Sequence, residues 1–380
     1  MNILQSLCNV HKSLLEVVND LKTRKNESME LDNLHFDFSQ IDGYNKAFNM
    51  VISEREDGKT TAFHVRKAKP AFLAGRPTIL LRRQQVDITS AYIDSIERLQ
   101  NKFAPEGKKY HFSYKRGEMK EGVCNIYCDD KLAYVVVAIS TPLSRIKSLM
   151  VENPAYFFFD EFICNNRAGE KYLSDEAFKI MEIYNTFYRE GVTAPKFYAT
   201  ANPYSLYNPL FVYFGVDPKA LVERKIVSGV NFAAQFHDLK PELKEFILAR
   251  NPLYKFENAY TRYALKGQAI NDENIKVWPK VPANYKLDFV IAAEGKFLGV
   301  YYNSNYGNYE NSYYVGYVDN VGSRRNIYCF DFKDLVARSV LFSSEDRRRF
   351  QLFKSSVRSR MVAYQSLECD YLVEEIYNSL

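Results

Sequence analysis

The stretch Ala155-Tyr156-Phe157-Phe158-Phe159-Asp160-Glu161-Phe162 organises the rest of the chain. Its apolar and aromatic run shows no alternation, the mark of a strand buried on both faces in the middle of a parallel sheet. Two acids close it. Packing gives no reason to set adjacent carboxylates at the end of a buried strand, whereas a nucleotide-hydrolysing site needs one to hold Mg²⁺ and another to orient water. The competing reading is a strand that runs out into solvent, and the flanking sequence has to separate the two.

Upstream, Ala47-Phe48-Asn49-Met50-Val51-Ile52 reads as a short apolar strand, followed by Ser53-Glu54-Arg55-Glu56-Asp57-Gly58-Lys59-Thr60-Thr61 and a helical run through Lys69. Strand, loop, Gly-Lys-Thr and helix is the order a phosphate-binding loop requires. The helix start presents free N–H groups and a positive dipole end, Lys59 would reach the β and γ phosphates, and the Thr60 hydroxyl would ligate Mg²⁺. Ser53 stands where the usual pattern has its first glycine, and Glu54, Glu56 and Asp57 would repel a triphosphate unless they point outward. A surface loop with a chance Gly-Lys-Thr is the alternative at this point.

Thr78-Ile79-Leu80-Leu81-Arg82-Arg83 is a second strand ending in two arginines, which could equally be ordinary solvated charges. A helix is predicted over Ile88 to Phe103, strands and hairpins over Tyr110 to Ile139, and a short helix over Ser144 to Met150 that contains Lys147. Asp175 to Arg189 is predicted helical with Ser174 as N-cap, which puts Arg189 in the last turn, where a cation suits the helix dipole. Lys196-Phe197-Tyr198-Ala199-Thr200 is another strand, with Asn202 just past its end. Four strands thus alternate with helices, and polar residues collect after strand C-termini, the edge at which open α/β sheets bind ligands. The acidic pair and the Gly-Lys-Thr loop fall on that edge together.

The 380 residues suggest two or three domains. A net charge of +5 permits a polyanionic partner without demanding one. No window approaches a membrane span, the N-terminus lacks a signal-peptide pattern, and a cytosolic protein is expected. The six cysteines are scattered, and Cys124 with Cys128 has no second pair to complete a zinc site, so buried free thiols are expected. Residues 1 to about 24 carry leucines at helical spacing, and Asn26 to Asp42 reads as a polar linker. Asp217 to Phe256 reads as helix-rich. From Tyr285 the chain resumes as strands and ends in a helix from Ser344 to Leu380, an α+β domain. The boundaries read as 1–44 for the N-terminal helix and linker, 45–215 for the nucleotide core, 216–282 for a lid or linker and 283–380 for the C-terminal domain.

From about Phe48 onward the sequence resembles the φ29-like bacteriophage genome-packaging ATPases, relatives of the large terminases. The residues that carry the likeness are Ser53 through Thr60 with Arg55 three places before Gly58, Leu80-Leu81-Arg82-Arg83, Phe158 through Ile163, Phe187-Tyr188-Arg189, Ala201-Asn202, Asn208-Pro209, and Gly295 with Leu298-Gly299-Val300. The resemblance implies an α/β P-loop ATPase of the ASCE type with a mainly parallel sheet, then a small helical linker and an α+β RNase H-like domain, a vestigial nuclease that does not cleave. ATP and Mg²⁺ are the implied cofactors. Lys59 would bind the phosphates, Thr60 and Asp160 the Mg²⁺, and Glu161 would orient the attacking water. Ser53, Arg55, Gly58, Thr61, Arg82 and Asn202 would line the nucleotide, with Asn202 coupling hydrolysis to motion. Arg189 would act in trans as an arginine finger, with Lys147 as a second trans candidate. The implied partners are double-stranded DNA held by its backbone, the portal (connector) protein and further copies of the chain in a ring, a pentamer by analogy. No membrane partner is implied, and use of a packaging RNA stays open. The implied place of action is the host cytoplasm, transiently at the portal vertex. Another ring ATPase, such as a helicase or segregation motor, and a non-hydrolysing DNA- or virion-binding protein with a degenerate phosphate loop are the rival readings.

Overall fold

The computed structural model describes residues 34–149, 151–165, 168–188, 193–252, 275–303, 312–319, 321, 327–330, 334–342 and 347–377. The helix expected over residues 1–24 and Arg189, expected to be an arginine finger, lie outside them. The chain divides into two compact units, one of residues 1–164, 175–203 and 213–268, the other of 165–174, 204–212 and 269–380.

In the first unit the described strands are β1 (Phe48–Ser53), β2 (Thr78–Arg82), β3 (Phe112–Tyr114), β4 (Val123–Cys128), β5 (Lys131–Ala138), β6 (Tyr156–Asp160), β7 (Lys196–Ala201), β8 (Ile226–Ser228) and β9 (Phe232–His237). They pair in the order β3-β4-β5-β2-β6-β7-β1-β9-β8. The central run from β5 to β9 is parallel throughout. β7 lies between β1 and β6, the extra strand that defines the ASCE arrangement. Register brings the C-terminal ends level, with Ser53 beside His237, Ile52 beside Ala201, and Asp160 beside Thr200.

The aromatic run of β6 is buried because both sheet faces are covered. The Phe158 ring stacks on Phe63 at 3.8 Å between centroids, on the face covered by α1 (Lys59–Phe63), the helix that follows β1. Phe157 alternates to the other face and meets Tyr184 and Phe187 of α4 (Glu176–Phe187). A fully buried Phe contributes about 1.5–3 kcal/mol, so three in succession fix this strand centrally. The intervening helices are α2 (Ser90–Lys102), capped by the Thr89 hydroxyl, and α3 (Leu143–Ile146). Asp129 and Asp130, both at positive φ, form the tight turn between β4 and β5.

Four readings of the sequence are corrected here. Phe36, Phe38 and Ile41 are buried in the core, so the polar linker ends earlier than Asp42. The stretch from Asp217 holds two strands as well as helices, and β9 belongs to the nine-stranded sheet beside β1. Its sequence, Phe232-Ala233-Ala234-Gln235-Phe236-His237, lacks β-branched residues, and that is why it did not read as a strand. The residue before α4 is Asp175, in the left-handed region, and Ser174 is not its cap. The C-terminal helix is interrupted by a strand, Val362–Tyr364.

The second unit contains β10 (Lys276–Val277), β11 (Tyr285–Ala293), β12 (Lys296–Asn303), β13 (Tyr313–Tyr317), β14 (Ile327–Cys329), β15 (Ser339–Leu341) and β16 (Val362–Tyr364). The core of its sheet runs β13-β12-β11-β14-β15, antiparallel among the first three and parallel beyond β11. That is the RNase H-like order. Phe350 and Phe353 of the helix Arg347–Arg358 pack on Phe289 of β11. Five cysteines, Cys124, Cys128, Cys164, Cys329 and Cys369, are buried and free. No helix among the described residues is long and apolar enough to cross a membrane.

Candidate functional site

The loop after β1 turns into α1 through Gly58 at φ +86°, where a side chain would be strained and its Cβ would stand 3.2 Å from the His35 ring. Lys59 is buried, and its ammonium is folded back onto the loop. Nζ donates to Ser53 Oγ at 2.8 Å and to the Ser53 and Glu54 carbonyls at 3.1 Å each. Asn202 Oδ1, reaching over from the end of β7, is 3.3 Å away. Burial pushes the Lys59 pKa down, and the charges of Asp57, Asp160, Glu54 and Glu161 oppose that shift. Ser53 thus serves as an acceptor for the lysine that a glycine could not be.

The acids of the loop face the protein. Glu54 is buried, its Oε2 accepting the Leu239 amide at 2.7 Å just beyond β9, and burial raises its carboxyl pKa. Asp57 is buried with His237 Nε2 3.9 Å from Oδ2, and its carbonyl accepts the Phe36 amide at 2.9 Å. Only Glu56 is exposed. Two of the three acids are therefore turned inward, Glu54 onto the Leu239 amide and Asp57 toward His237 of β9.

Thr60 and Asp160 meet directly, with Thr60 Oγ1 donating to Asp160 Oδ2 at 2.7 Å. Two oxygens at that separation match adjacent corners of a Mg²⁺ octahedron, whose edge is about 3.0 Å for bonds near 2.1 Å. The pair fits the ion, which keeps most of its waters when bound by one or two protein oxygens. The other carboxylate oxygen, Oδ1, accepts the Thr200 hydroxyl at 2.5 Å. Thr200 was not singled out from the sequence; its place beside Asp160 comes from register across β6 and β7.

Glu161 is exposed, at φ +59° just past β6. A left-handed glutamate costs about 1–2 kcal/mol, and such strain is found where a side chain must be aimed. Its amide donates to Asp160 Oδ1 at 3.1 Å. Arg82 lays its guanidinium over the Tyr92 ring at 4.8 Å and keeps a buried Nε with no hydrogen-bond partner among the described residues. Burial raises the Tyr92 phenol pKa, with Asp160 and Glu161 adding to the shift and Arg82 opposing it. Arg83 is no solvated charge, being nearly buried against Glu176. Arg55 and Thr61 are half-buried in the loop and the first turn of α1. Lys147 is exposed beyond α3, with Nζ 4.0 Å from Glu182 of α4. The sheet edge therefore gathers Ser53, Lys59, Thr60, Asp160, Thr200 and Asn202 through direct contacts, with Glu161 and Arg82 on the same edge, whereas Lys147 pairs with α4.

The family model for the podovirus DNA encapsidation protein (Gp16) matches residues 31–380. The chain belongs to that family. It is a Gp16-family phage DNA-packaging protein. Its similarity to the DNA packaging protein of Bacillus phage B103 is 25% identity over 309 residues, 79% of this chain and 87% of the relative. Among solved structures, the bacteriophage Phi-29 viral genome packaging motor assembly aligns with a TM-score of 0.61 at 19% identity, covering 91% of this chain and 99% of that one. The Phi-28 gp11 DNA packaging motor aligns at 0.60 and 15% identity, over 91% and 98%. These last two likenesses show a shared fold.

Proposed function

We propose that this Gp16-family protein is an ATP-hydrolysing motor that drives viral double-stranded DNA through the portal into a preformed capsid. The observation that carries the reading is the single constellation at the sheet edge: a buried lysine solvated by its own loop, and a hydroxyl paired with a strand-end carboxylate beside a strained glutamate. Lys59 would exchange loop oxygens for those of the β and γ phosphates, a trade of like acceptors. Thr60 and Asp160 would hold Mg²⁺, which supplies charge neutralisation at the β and γ oxygens. Glu161 would orient the attacking water and accept its proton. Ser53, Arg55, Gly58 and Thr61 line the loop, and Arg82 at the end of β2 would add a positive charge at the same edge. Asn202 touches Lys59 directly, so a change in the lysine's partners would be felt at the end of β7.

Arg189 acts in trans in this reading, with Lys147 as the second candidate, so that a homomeric ring completes each site. Pentameric assembly, portal docking and contact with the DNA backbone complete the proposal, and the RNase H-like unit leaves the DNA intact. The test is phosphate release by the full-length protein with and without double-stranded DNA. Stimulation by DNA that is recovered uncut is the expected result. ATP binding with no turnover under either condition would favour a non-hydrolysing packaging component.

A further inference from the structure

Arg83 follows the last residue of β2, and its carbonyl accepts the Ser140 amide at 3.2 Å beyond the end of β5, which fixes its backbone. Its side chain is 10% exposed, and all three guanidinium nitrogens are engaged. Nε and Nη2 meet the two carboxylate oxygens of Glu176 at 2.8 and 3.0 Å. Nη1 donates to the Glu161 carbonyl at 3.3 Å and Nη2 to the Phe162 carbonyl at 2.8 Å. The guanidinium carbon lies 5.2 Å from the centre of the Phe159 ring. Glu176, in the first turn of α4, is itself 2% exposed. One cation therefore gathers a carboxylate and two consecutive carbonyls of the corner after β6. A planar fork of donors can do this; a lysine ammonium, a point charge, cannot span the same partners.

The corner has need of such a clamp. Glu161 occupies the left-handed region without being glycine, asparagine or aspartate, the residues that enter it easily. On its far side the Phe162 amide is tied to the Thr200 carbonyl at 3.2 Å, and on its near side its own amide is tied to Asp160. The backbone on both sides is thus held by β7, by Asp160 and by Arg83, while the Glu161 side chain stays exposed.

We propose that Arg83, anchored by Glu176, is a positioning residue that holds the Glu161 corner in its left-handed form and so sets where the Glu161 carboxylate stands. The inference rests on the reading of Glu161 as the group that orients water. Removing Arg83 alone would strand a buried carboxylate and endanger folding, whereas replacing a buried pair by apolar residues of similar volume is often close to neutral for stability. The informative variants are therefore Arg83→Met with Glu176→Met together, and Arg83→Lys, in the full-length protein with double-stranded DNA and with Glu161→Gln as the control.

The double variant is expected to melt within a few degrees of wild type and to bind ATP with a Kd within about threefold, while kcat falls about 10- to 100-fold, the loss that a displacement of about 1 Å brings. Arg83→Lys falls between the double variant and wild type. Wild-type turnover in the folded double variant overturns the proposal. So does a loss of kcat that comes with equal losses of ATP affinity and melting temperature, which is what a purely structural pair would give. If Glu161→Gln itself turns over at the wild-type rate, the catalytic reading fails and takes the clamp with it; if that control is inactive while the double variant is unimpaired, the clamp alone fails.

Discussion

At Asp160 each carboxylate oxygen has its own hydroxyl, Thr60 on one side and Thr200 on the other. In the proposed reading Thr60 would turn its oxygen to the Mg²⁺ beside Asp160, whereas Thr200 would keep its hydrogen bond to the other carboxylate oxygen and so orient the carboxylate. If Asp160 ligates Mg²⁺ as proposed, Thr200 is the partner of a metal ligand, a role typically worth 10- to 100-fold in metal affinity. Thr200→Val, which keeps the shape and removes the donor, is expected to raise the Mg²⁺ concentration for half-maximal ATPase activity about tenfold with little change in melting temperature, as a Mg²⁺ titration would read. Gly58, Lys59, Thr60 and Asp160 were legible because loop spacing and a strand end announce them. Thr200 and the Arg83–Glu176 pair were not, because contacts across 40 and 93 positions of sequence leave no periodicity to read. The inward turn of Glu54 and Asp57 was hidden for the same reason, since the Leu239 amide beyond β9 receives one and His237 of β9 faces the other.

At the scale of elements, the helical run from Lys59 to Leu73 contains a π-helical turn, His64–Ala68. Pro70 lacks the N–H that would reach the Arg66 carbonyl, which removes one bond of the ordinary ladder at this place. The turn buries His64 beside Tyr134, whose hydroxyl takes a 2.8 Å hydrogen bond from Gln100 Nε2, while that same amide also donates to the His64 carbonyl at 2.9 Å. Burial lowers the His64 pKa to about 4. Above pH 6.5 the imidazole is neutral in both folded and unfolded chains and contributes nothing to pH dependence. As pH falls below 6.5 the unfolded chain takes up the proton first, so stability drops until pH nears the folded value. At pH 5 the loss from this residue is about 2 kcal/mol, and urea midpoints measured at pH 7 and 5 should show that His64→Gln flattens the fall. The strong strands β1, β2, β6 and β7 were readable from apolar and aromatic runs, whereas β9 was masked by small and polar residues. Its strand character comes from pairing with β1, a tertiary effect.

At the scale of the molecule, a mainly parallel nine-stranded sheet and a seven-stranded sheet of RNase H-like order lie on one chain, and the family places that chain in phage DNA packaging. An arginine finger can be worth about 10³ to 10⁵ in rate, so a site completed in trans would make turnover depend on assembly. Subunits carrying Arg189→Ala keep their own loop, and subunits carrying Lys59→Ala keep their finger. Mixing the two inactive variants is expected to restore ATPase activity at the interfaces that pair an intact loop with an intact finger, and activity no greater than the sum of the separate variants would contradict action in trans. The central claim, that hydrolysis at this sheet edge powers packaging, rests most directly on Glu161. The measurement is ATP binding and phosphate release by Glu161→Gln in the presence of Mg²⁺ and double-stranded DNA. The account predicts ATP affinity close to wild type with turnover reduced about 10²- to 10⁴-fold, the share a positioned base supplies; turnover at the wild-type rate would contradict it.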